Sequence, residues 1–540
     1  MNFDPLMYRF PSRRTVIYAK NGMTCSTSPL ASSEGLHVLQ EGGNAMDAAL
    51  TMAMMLALTE PGSNDLGSDC FVMYWNEKEQ KLYGINGSGR APLSLSASKI
   101  KAMGYTEMPK EGWIPVMVPG AVSAWGELSR RFGSKPLREL AEPAIRTARE
   151  GFPVPVNGSR LWKEGCQRFV PLARENPELF SPWIKTYTKD GEPYHAGEVF
   201  RNPDFADSLE EIANTDGKSL YRGTLSEKIA AWSDRTGGFI SKEDFRDYHP
   251  VWADPVSVRY HGYDIFEMPP NGHGITVLMT MNLLKGLPLG ENRFSPETLH
   301  QIIEATKLSF TDAKTFVADP DFMKTPLSAL LSEKYADARR REIGRTASMP
   351  KAGMPWSGDT VYFCTADGEG NMVSFIQSHY MTFGSGVVVP GTGIALQNRG
   401  ANFSLDPESD NCIAGGKRSY HTIIPGFLMK DGKPIGPFGI MGGFMQPQAH
   451  IQVLLNLIDY NMNPQEALDA PRFQWTSGKK IQIEPEFPEG TAESLRAAGH
   501  DVEIVRSRMN MGRGQIIWKN EDGIYCGGTE PRADGSISAY

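Results

Sequence analysis

The feature that most constrains the fold of this chain is an abrupt change of pattern near residue 358. Residues 344–358 are rich in Gly, Pro, Met and Ser and show no hydrophobic periodicity. Directly after them, Thr360–Ala366 has a strong strand pattern, and Met372–Gln377 repeats it beyond the turn Asp367–Asn371. The pattern predicts a long loop that enters a β-hairpin. The C-terminal third is therefore expected to be rich in sheet.

The part before this loop is predominantly helical. Spacing of apolar residues predicts helices at Ser32–Gln40, Asn44–Thr59, Ser123–Phe132, Leu137–Glu150, Pro296–Ala318 and Ser332–Ile343. The longest apolar run, Ala45–Leu58, is interrupted by Asp47 and is too short to span about 30 Å of hydrocarbon, so we expect a buried helix. No transmembrane helix is predicted.

The strands of the chain are expected mainly in pairs. The predicted strands are Thr15–Tyr18, the pair Cys70–Trp75 and Lys81–Asn86, and the pair Thr422–Lys430 and Pro434–Ile440 around the turn Asp431–Gly432. A helix is predicted at Gln446–Tyr460.

Charge and composition exclude several classes of partner. The chain has 540 residues, is 40% hydrophobic and carries a net charge of -8. This charge offers no global attraction to phosphate backbones or anionic lipid, so neither nucleic acid nor a membrane is expected as a partner. Met1–Pro5 shows no basic region followed by an apolar stretch, and a cytoplasmic location is expected.

No pattern for a metal or an organic cofactor is found. The six cysteines lie far apart without a CxxC motif, which favours buried free thiols, and the ten histidines are scattered. HExxH, GxSxG and GxxxxGK[ST] motifs are absent, and the GxG pairs lack the third glycine of a dinucleotide fingerprint. We therefore predict no cofactor and no metal.

Asp359–Thr360 is the candidate centre of the chemistry. A Ser, Thr or Cys that follows a flexible segment and opens a strand can attack the preceding carbonyl, and hydrolysis then frees its α-amino group. This amine, with a reference pKa of about 7.7–8.0, can serve as the base for the same side chain. By spacing alone, a turn-forming Asp before a β-branched strand residue explains the same pattern.

A set of motifs along nearly the whole chain resembles one known family. The motifs are Gly42–Ala49, Glu60–Phe71, Val118–Gly120, Asp359–Thr360 with Asp367 and Gly370–Asn371, Phe383–Gly386, Met441–Gly443 and Ala470–Phe473. In order and spacing they resemble the gamma-glutamyltransferase family of N-terminal nucleophile hydrolases. The resemblance implies an α+β fold, a four-layer αββα sandwich.

The resemblance also implies roles for individual residues. Thr360 corresponds to the nucleophile at the Asp359–Thr360 cleavage site. Ser378 corresponds to a hydroxyl that orients the amine of the nucleophile, and Gly442 and Gly443 correspond to the oxyanion hole. Paired glycines let two backbone donors approach a developing oxyanion, although a plain turn before a helix would use the same residues.

The chain departs from the family where an amino acid substrate would bind. Ser88 stands where γ-glutamyl enzymes hold the α-carboxylate with arginine, and Asn402 stands where an acidic residue holds the α-amino group. His421–Thr422 replaces a Ser-Ser pair. The segments Gly87–Pro92 and Lys417–Thr422 are instead similar to the cytosolic acylase-like branch that includes oxamate amidohydrolase and some glutaryl-cephalosporin acylase relatives.

A carboxylated amide without an amino group would suit such a pocket, and we expect Arg90, Arg399, His421 and Thr422 to bind it. Simpler explanations stay open for three of them: Arg90 fixing a turn, Arg399 solvated at the surface, and His421 as a satisfied core histidine.

The predicted protein is a self-processing amidohydrolase that releases ammonia from an oxamate-like substrate through an acyl ester on Thr360. The alternatives are γ-glutamyl hydrolysis or transfer on glutathione-like compounds, a glutaryl-acylase, and an inactive relative that binds a small acid. Cleavage is expected to give a large subunit, 1–359, and a small subunit, 360–540, which share one αββα domain. Two such heterodimers are expected to form a homodimer.

Overall fold

The computed structural model describes residues 14–350 and 359–540. The first thirteen residues and residues 351–358, which hold the N-terminal segment and the end of the Gly/Pro-rich loop, lie outside the described residues. The strands are β1 (Ile17–Ala19), β2 (Gly22–Ser26), β3 (Asp69–Asn76), β4 (Lys81–Gly87), β5 (Phe152–Pro153), β6 (Val199–Phe200), β7 (Val251–Trp252), β8 (Val256–Tyr260), β9 (Tyr263–Glu267), β10 (Asp359–Asp367), β11 (Met372–Tyr380), β12 (Val388–Val389), β13 (Ile394–Ala395), β14 (Gly426–Lys430), β15 (Lys433–Met441), β16 (Phe473–Ser477), β17 (Lys480–Ile483), β18 (Asp501–Ile504), β19 (Arg513–Lys519), β20 (Tyr525–Thr529) and β21 (Ser536–Ala539).

The helices lie mainly before β10. They are α1 (Pro29–Gln40), α2 (Ala45–Thr59), α3 (Ala97–Ala102), α4 (Ala121–Phe132), α5 (Leu137–Glu150), α6 (Val156–Glu175), α7 (Pro177–Tyr187), α8 (Pro203–Asn214), α9 (Ser219–Arg222), α10 (Thr224–Arg235), α11 (Lys242–Arg246), α12 (Ile275–Leu284), α13 (Pro296–Phe316), α14 (Leu327–Leu330), α15 (Glu333–Arg340), α16 (Met445–Ile458), α17 (Pro464–Asp469) and α18 (Thr491–Ala497). Short 3-10 turns lie at Pro320–Phe322, Arg399–Asn402 and Met509–Met511.

Two large sheets organise the described part of the chain. Sheet I has the strand order β21-β2-β10-β11-β3-β4-β7, and sheet II has the order β1-β20-β19-β15-β14-β9-β8. Within each sheet the neighbouring strands are antiparallel. Both sheets combine strands from before and after Thr360, so neither half of the chain forms its sheet alone.

The sheets stack face to face between layers of helices. Strands β10 and β11 of sheet I pack against β15 and β19 of sheet II, while α2 covers β10 and β11 from the other side. On the far side of sheet II, α12 packs on β8 and β9, and α16 packs on β15. The resulting order, helix, sheet, sheet, helix, confirms the predicted αββα sandwich.

Helix α2 shows how the sequence sets the helical layer beside sheet I. Its cap is reciprocal: the Asn44 side chain accepts from the amides of Met46 and Asp47, at 2.9 and 3.0 Å, and Asp47 accepts from the Asn44 amide at 2.9 Å. Every residue of α2 is buried, as predicted from its apolar run. In the described part of the chain, no helix has the length and apolarity needed to cross a membrane.

Most predicted elements are confirmed within a few residues, but the strand predicted at Thr422–Lys430 is shorter. It begins at Gly426, because the preceding residues are held by side chains instead of a neighbouring strand. The Ile424 amide donates to Gln446 Oε1 at 3.0 Å, and Pro425 has no N–H to give to a ladder.

The six thiols are free, and four of them are buried. Cys25, Cys70, Cys166 and Cys364 are buried, whereas Cys412 and Cys526 are partly exposed. The prediction of free thiols is confirmed, and the prediction of burial is confirmed for these four.

Candidate active site

Thr360 lies where the regular pairing of β10 with β11 is interrupted. Asp359 is opposite Tyr380 and Val361 is opposite Gln377, so Thr360 lies opposite a β-bulge formed by Ser378 and His379. Bulges redirect a side chain out of the regular alternation of a strand and are common beside active sites. The Thr360 hydroxyl donates to Ser378 Oγ at 3.1 Å. It also accepts from the side-chain Nε2 of Gln446 at 3.4 Å. Thr360 itself is 1% exposed.

Arg399 also binds the Ser378 hydroxyl. Its Nη2 donates to Ser378 Oγ at 3.0 Å, and its Nη1 donates to Thr422 Oγ1 at 2.5 Å. The guanidinium also lies over the ring of Tyr380, 4.6 Å from the ring centre. Arg399 is 1% exposed, so it is not a solvated surface arginine.

The charge of Arg399 is retained at neutral pH although the side chain is buried. Burial lowers the pKa of the guanidinium to about 10, and the electrostatic attraction of Asp69 opposes this effect. Its Nε has no hydrogen-bond partner among the described residues. A buried cation with a free donor beside the nucleophile can bind a carboxylate.

Asp69 anchors the network behind Arg399. It begins β3, directly opposite Ser378 in the β11 pairing. Its Oδ1 accepts from the amides of Gly89 and Gly120, at 2.9 and 3.2 Å. Its Oδ2 accepts from Gln397 Nε2 at 3.2 Å. Burial raises the pKa of the Asp69 carboxyl to about 7, although Arg399 and these amide donors lower it.

His421 completes this network as a buried, neutral ring. Its Nε2 lies 3.1 Å from Asp69 Oδ2, and its Nδ1 accepts from the Ile423 amide at 3.4 Å. Burial and the nearby Arg399 charge hold the pKa of the imidazole well below its usual value. Both ring nitrogens are engaged within the protein, which corresponds to a satisfied core histidine and leaves neither nitrogen for a substrate in this arrangement.

The turn between β15 and α16 brings two glycines to the site. Gly442 has φ 135° and Gly443 has φ 56°, both in the region that favours glycine. A Cβ on Gly442 would lie 3.2 Å from the Cα of Gly512. Within the described residues, no backbone carbonyl accepts from the N–H of either glycine. Gln446, in the first turn of α16, ties this turn to Thr360.

The Arg90 guanidinium is engaged at its own turn. It donates to the Gly416 carbonyl at 3.5 Å, which fits a role in fixing the turn, and its charge also influences the pKa values of Tyr248 and Arg418. Ser88 is buried against Asn271, with 3.3 Å between the Ser88 hydroxyl and the amide oxygen. Asn402 follows Arg399 in the 3-10 turn, and its Nδ2 has no partner among the described residues.

A separate histidine cluster joins α13 to His500, although the sequence gives the histidines no metal spacing. His300, Glu304 and His500 place their ligand atoms within 4.8 Å of one another. However, the Glu304 carboxylate already binds Lys307 Nζ at 2.6 Å and the Ser348 amide at 3.0 Å. A buried ammonium beside the carboxylate disfavours a second cation, so the cluster is a hydrogen-bond network.

The sequence analysis missed three residues of this arrangement: Asp69, Tyr380 and Gln446. The sequence could have indicated Asp69, because it is a carboxylate at the start of an otherwise apolar strand. Burying such a group costs free energy unless it has hydrogen-bond or charged partners. Tyr380 and Gln446 had none, since their contacts with Arg399 and Thr360 depend on the stacking of two distant segments.

The chain is similar to known proteins over nearly its full length. The chain is similar to a cephalosporin acylase from Bacillus halodurans, with 50% sequence identity, a TM-score of 0.96 and coverage of 100% of this chain and 99% of that structure. It is 35% identical to the glutathione hydrolase-like YwrD proenzyme of Bacillus subtilis (strain 168), over 97% of this chain and 99% of the relative. It is 30% identical to the oxamate amidohydrolase proenzyme of Klebsiella pneumoniae, over 96% and 98% of the two chains.

The stacked sheets and the threonine that opens a central strand define the class of protein: this is an enzyme with the N-terminal nucleophile hydrolase fold. Residues 31–540 match the gamma-glutamyltranspeptidase family, and the chain belongs to that family.

Proposed function

We propose that the chain is a self-processing amidohydrolase that uses Thr360 to cleave the amide of a small carboxylated substrate. The observation that carries the proposal is the contact between the Thr360 hydroxyl and Ser378 Oγ, which also accepts from the buried Arg399. A nucleophile and a carboxylate-binding cation thus share one hydroxyl. No second titratable side chain is required as a base if Thr360 uses its own amine.

Maturation would begin with attack of the Thr360 hydroxyl on the carbonyl of Asp359. The C–N bond breaks, the peptide nitrogen becomes the free amine of Thr360, and an ester joins the two parts. Water then hydrolyses the ester and leaves a large subunit ending at Asp359 and a small subunit beginning at Thr360. The names of the YwrD and oxamate amidohydrolase relatives as proenzymes support this step.

Turnover would use the same atoms on an external amide. The Thr360 amine takes the hydroxyl proton, the oxygen attacks the amide carbon, and the N–H groups of Gly442 and Gly443 stabilise the oxyanion. The proton passes to the leaving nitrogen, which departs as ammonia and leaves an acyl ester. Water, activated by the amine, releases the carboxylic acid.

The charges around Thr360 favour a substrate with a carboxylate and no amino group. Arg399, supported by Thr422, supplies a cation for the carboxylate, whereas Asn402 offers no negative charge for an ammonium group. We assign His421 to holding Asp69 and Arg90 to fixing its turn. Oxamate, whose carboxylate is bonded directly to the amide carbon, is the best single candidate.

A longer acyl group with a terminal carboxylate is the second candidate. The observation that favours it is the 50% identity to the cephalosporin acylase over the full chain. γ-Glutamyl compounds are less favoured because Ser88 and Asn402 remove both charges that would recognise the amino acid end.

Maturation can be tested directly with purified protein on a denaturing gel. The wild-type chain should separate into two fragments, and the smaller one should begin with Thr360. Thr360→Ala should remain a single chain. A new N-terminus at any other residue would contradict the proposed nucleophile.

The substrate class can be tested by ammonia release from oxamate, from longer ω-carboxy amides and from glutamine, with a γ-glutamyl anilide as comparison. We expect kcat/KM to be highest for a simple carboxylated amide. A kcat/KM for a γ-glutamyl compound far above the values for all simple carboxylated amides would show that the pocket recognises an amino acid.

A further inference from the structure

An arginine-lined cleft of about 1030 Å³ lies between the start of α6, the loop after β18 and the segment that joins β20 to β21. Five guanidinium groups contribute to its lining, those of Arg14, Arg160, Arg506, Arg508 and Arg532. None of the described residues that line it belongs to the candidate active site around Thr360. The proposed amide hydrolysis therefore gives these five arginines no role.

Two of these arginines are already paired with carboxylates. Arg532 is fully buried, and its Nε donates to Glu484 Oε1 at 2.6 Å while its Nη1 donates to Glu530 Oε1 at 2.7 Å. Arg508 Nη1 lies 3.3 Å from Glu486 Oε1, and its Nε lies 3.3 Å from Glu484 Oε1. These ion pairs fix both guanidinium groups in place and balance their charges.

The other three arginines form no ion pair with any carboxylate of the described residues. Arg14 Nη1 donates only to backbone carbonyls, that of Glu530 at 3.1 Å and that of Gly535 at 3.5 Å. Arg160, half-buried near the start of α6, and Arg506, exposed after β18, make neither a hydrogen bond nor an ion pair within the described ranges. Their N–H donors are available to a ligand in the cleft.

The two aspartates that line the cleft do not cancel these charges. Asp534 accepts from the Asn157 amide at 2.9 Å and from Asn157 Nδ2 at 3.1 Å, and Asp469 accepts from Gln465 Nε2 at 2.9 Å. Burial raises the pKa of both aspartate carboxyls, which opposes their ionisation. The cleft therefore keeps an excess of positive charge in a chain whose net charge is -8.

The shape and charge of the cleft favour a ligand with several linked phosphate groups. A guanidinium presents a planar fork of N–H donors that matches two oxygens of one phosphate. The volume of about 1030 Å³ is at the upper end of the roughly 300–1,000 Å³ of small-molecule sites, far more than one phosphate ion fills. Three unpaired arginines around one such space suit a chain of phosphates, in which each unit carries its own charge.

We propose that this cleft binds a polyphosphate chain, either inorganic or carried by a nucleotide. Arg160 and Arg506 supply the free guanidinium groups, and Arg14 supplies a third at the chain's N-terminal side. The paired Arg508 and Arg532 keep the lining in a fixed shape. The proposal goes beyond the proposed function and does not depend on it, since the cleft shares no described residue with the site around Thr360.

Calorimetric titration of the purified full-length protein with tripolyphosphate tests the proposal without requiring turnover. We expect saturable binding, and the double variant Arg160→Met/Arg506→Met should raise the Kd about tenfold or more, because charge-assisted hydrogen bonds are lost. Neither side chain contacts another described residue through hydrogen bonds, so the variant should fold and cleave itself like the wild type.

A matched control is the double variant Arg138→Met/Arg345→Met. Both of these arginines are exposed, neither has a hydrogen-bond or ion-pair partner in the described part of the chain, and neither lines the cleft. This control removes the same number of charges and should leave the Kd of tripolyphosphate unchanged. An equal loss of affinity in both double variants would mean that only the total charge matters, which would overturn the assignment of the cleft.

Further ligands separate the two sources of the phosphate chain. ATP that binds as tightly as tripolyphosphate would identify a nucleotide site, and tripolyphosphate that binds much more tightly would identify a site for the inorganic chain. Citrate that binds as tightly as tripolyphosphate, or the same tripolyphosphate Kd in the wild type and in Arg160→Met/Arg506→Met, would overturn the proposal. Intact tripolyphosphate binding in a protein that hydrolyses no amide would overturn only the proposed function.

Discussion

At the scale of single residues, Ser378 connects Thr360 to the buried guanidinium of Arg399. Its Oγ accepts from Thr360 at 3.1 Å and from Arg399 at 3.0 Å. Ser378→Ala should slow self-cleavage and lower kcat by about 10- to 100-fold, because losing a buried hydrogen bond to a charged group costs about 1.5–3 kcal/mol. Single-turnover rates and the time course of chain cleavage measure the two effects. Unchanged rates would show that the nucleophile is oriented without this hydroxyl.

Asp69 makes a pH-dependent contribution to stability. Burial raises the pKa of its carboxyl in the folded state to about 7, from its usual value of 3.8. Between these pH values the folded protein binds more protons than the unfolded chain, so this contribution to stability falls as pH rises from about 4 to about 7. Asp69→Asn removes the titration. In urea unfolding, the stability advantage of the wild type over this variant should therefore be largest near pH 4 and smallest at pH 7–8; the opposite trend would show that the folded carboxyl is ionised throughout.

At the scale of elements, the turn that joins β15 to α16 depends on two glycines with different backbone requirements. Gly443, at φ 56°, has a conformation that alanine adopts with modest strain, whereas Gly442, at φ 135°, has one that only glycine adopts readily. Gly442→Ala should therefore lower kcat by at least about 100-fold through the displaced oxyanion donors, and Gly443→Ala should be milder. Steady-state kinetics of both variants measure the difference. Equal losses would indicate that the direction of the N–H groups matters less than the room for the substrate.

At the scale of the whole molecule, both sheets are built from the two halves of the chain. Strand β2 pairs with β10, β3 pairs with β11, and β9 pairs with β14, so strands from before and after Thr360 are hydrogen-bonded to each other within each sheet. Separating the halves would expose two sheet interiors. The cleaved protein should therefore elute as one particle and unfold in a single calorimetric transition, with both fragments released together. Elution of separate fragments in native buffer, or two transitions, would contradict a shared core.

The sequence by itself determined the local elements and the position of Thr360, the proposed nucleophile. Asn44 and Asp47 signal the start of α2 through a reciprocal cap, and the β-branched run after Thr360 predicts β10, because caps and strand patterns depend on neighbours along the chain. The resemblance to the family predicted the αββα fold and made Arg399 a candidate for binding the substrate. These features need no knowledge of how distant segments pack.

The tertiary structure alone decided what surrounds that nucleophile. Arg399 could be a surface residue by its sequence, but sheet packing buries it between Ser378 and Thr422, while Arg90 stays at its turn. His421 becomes a partner of Asp69, a contact between residues 352 positions apart. Such contacts form only when two sheets and a turn converge, and periodicity along a chain carries no information about which distant side chains a fold brings together.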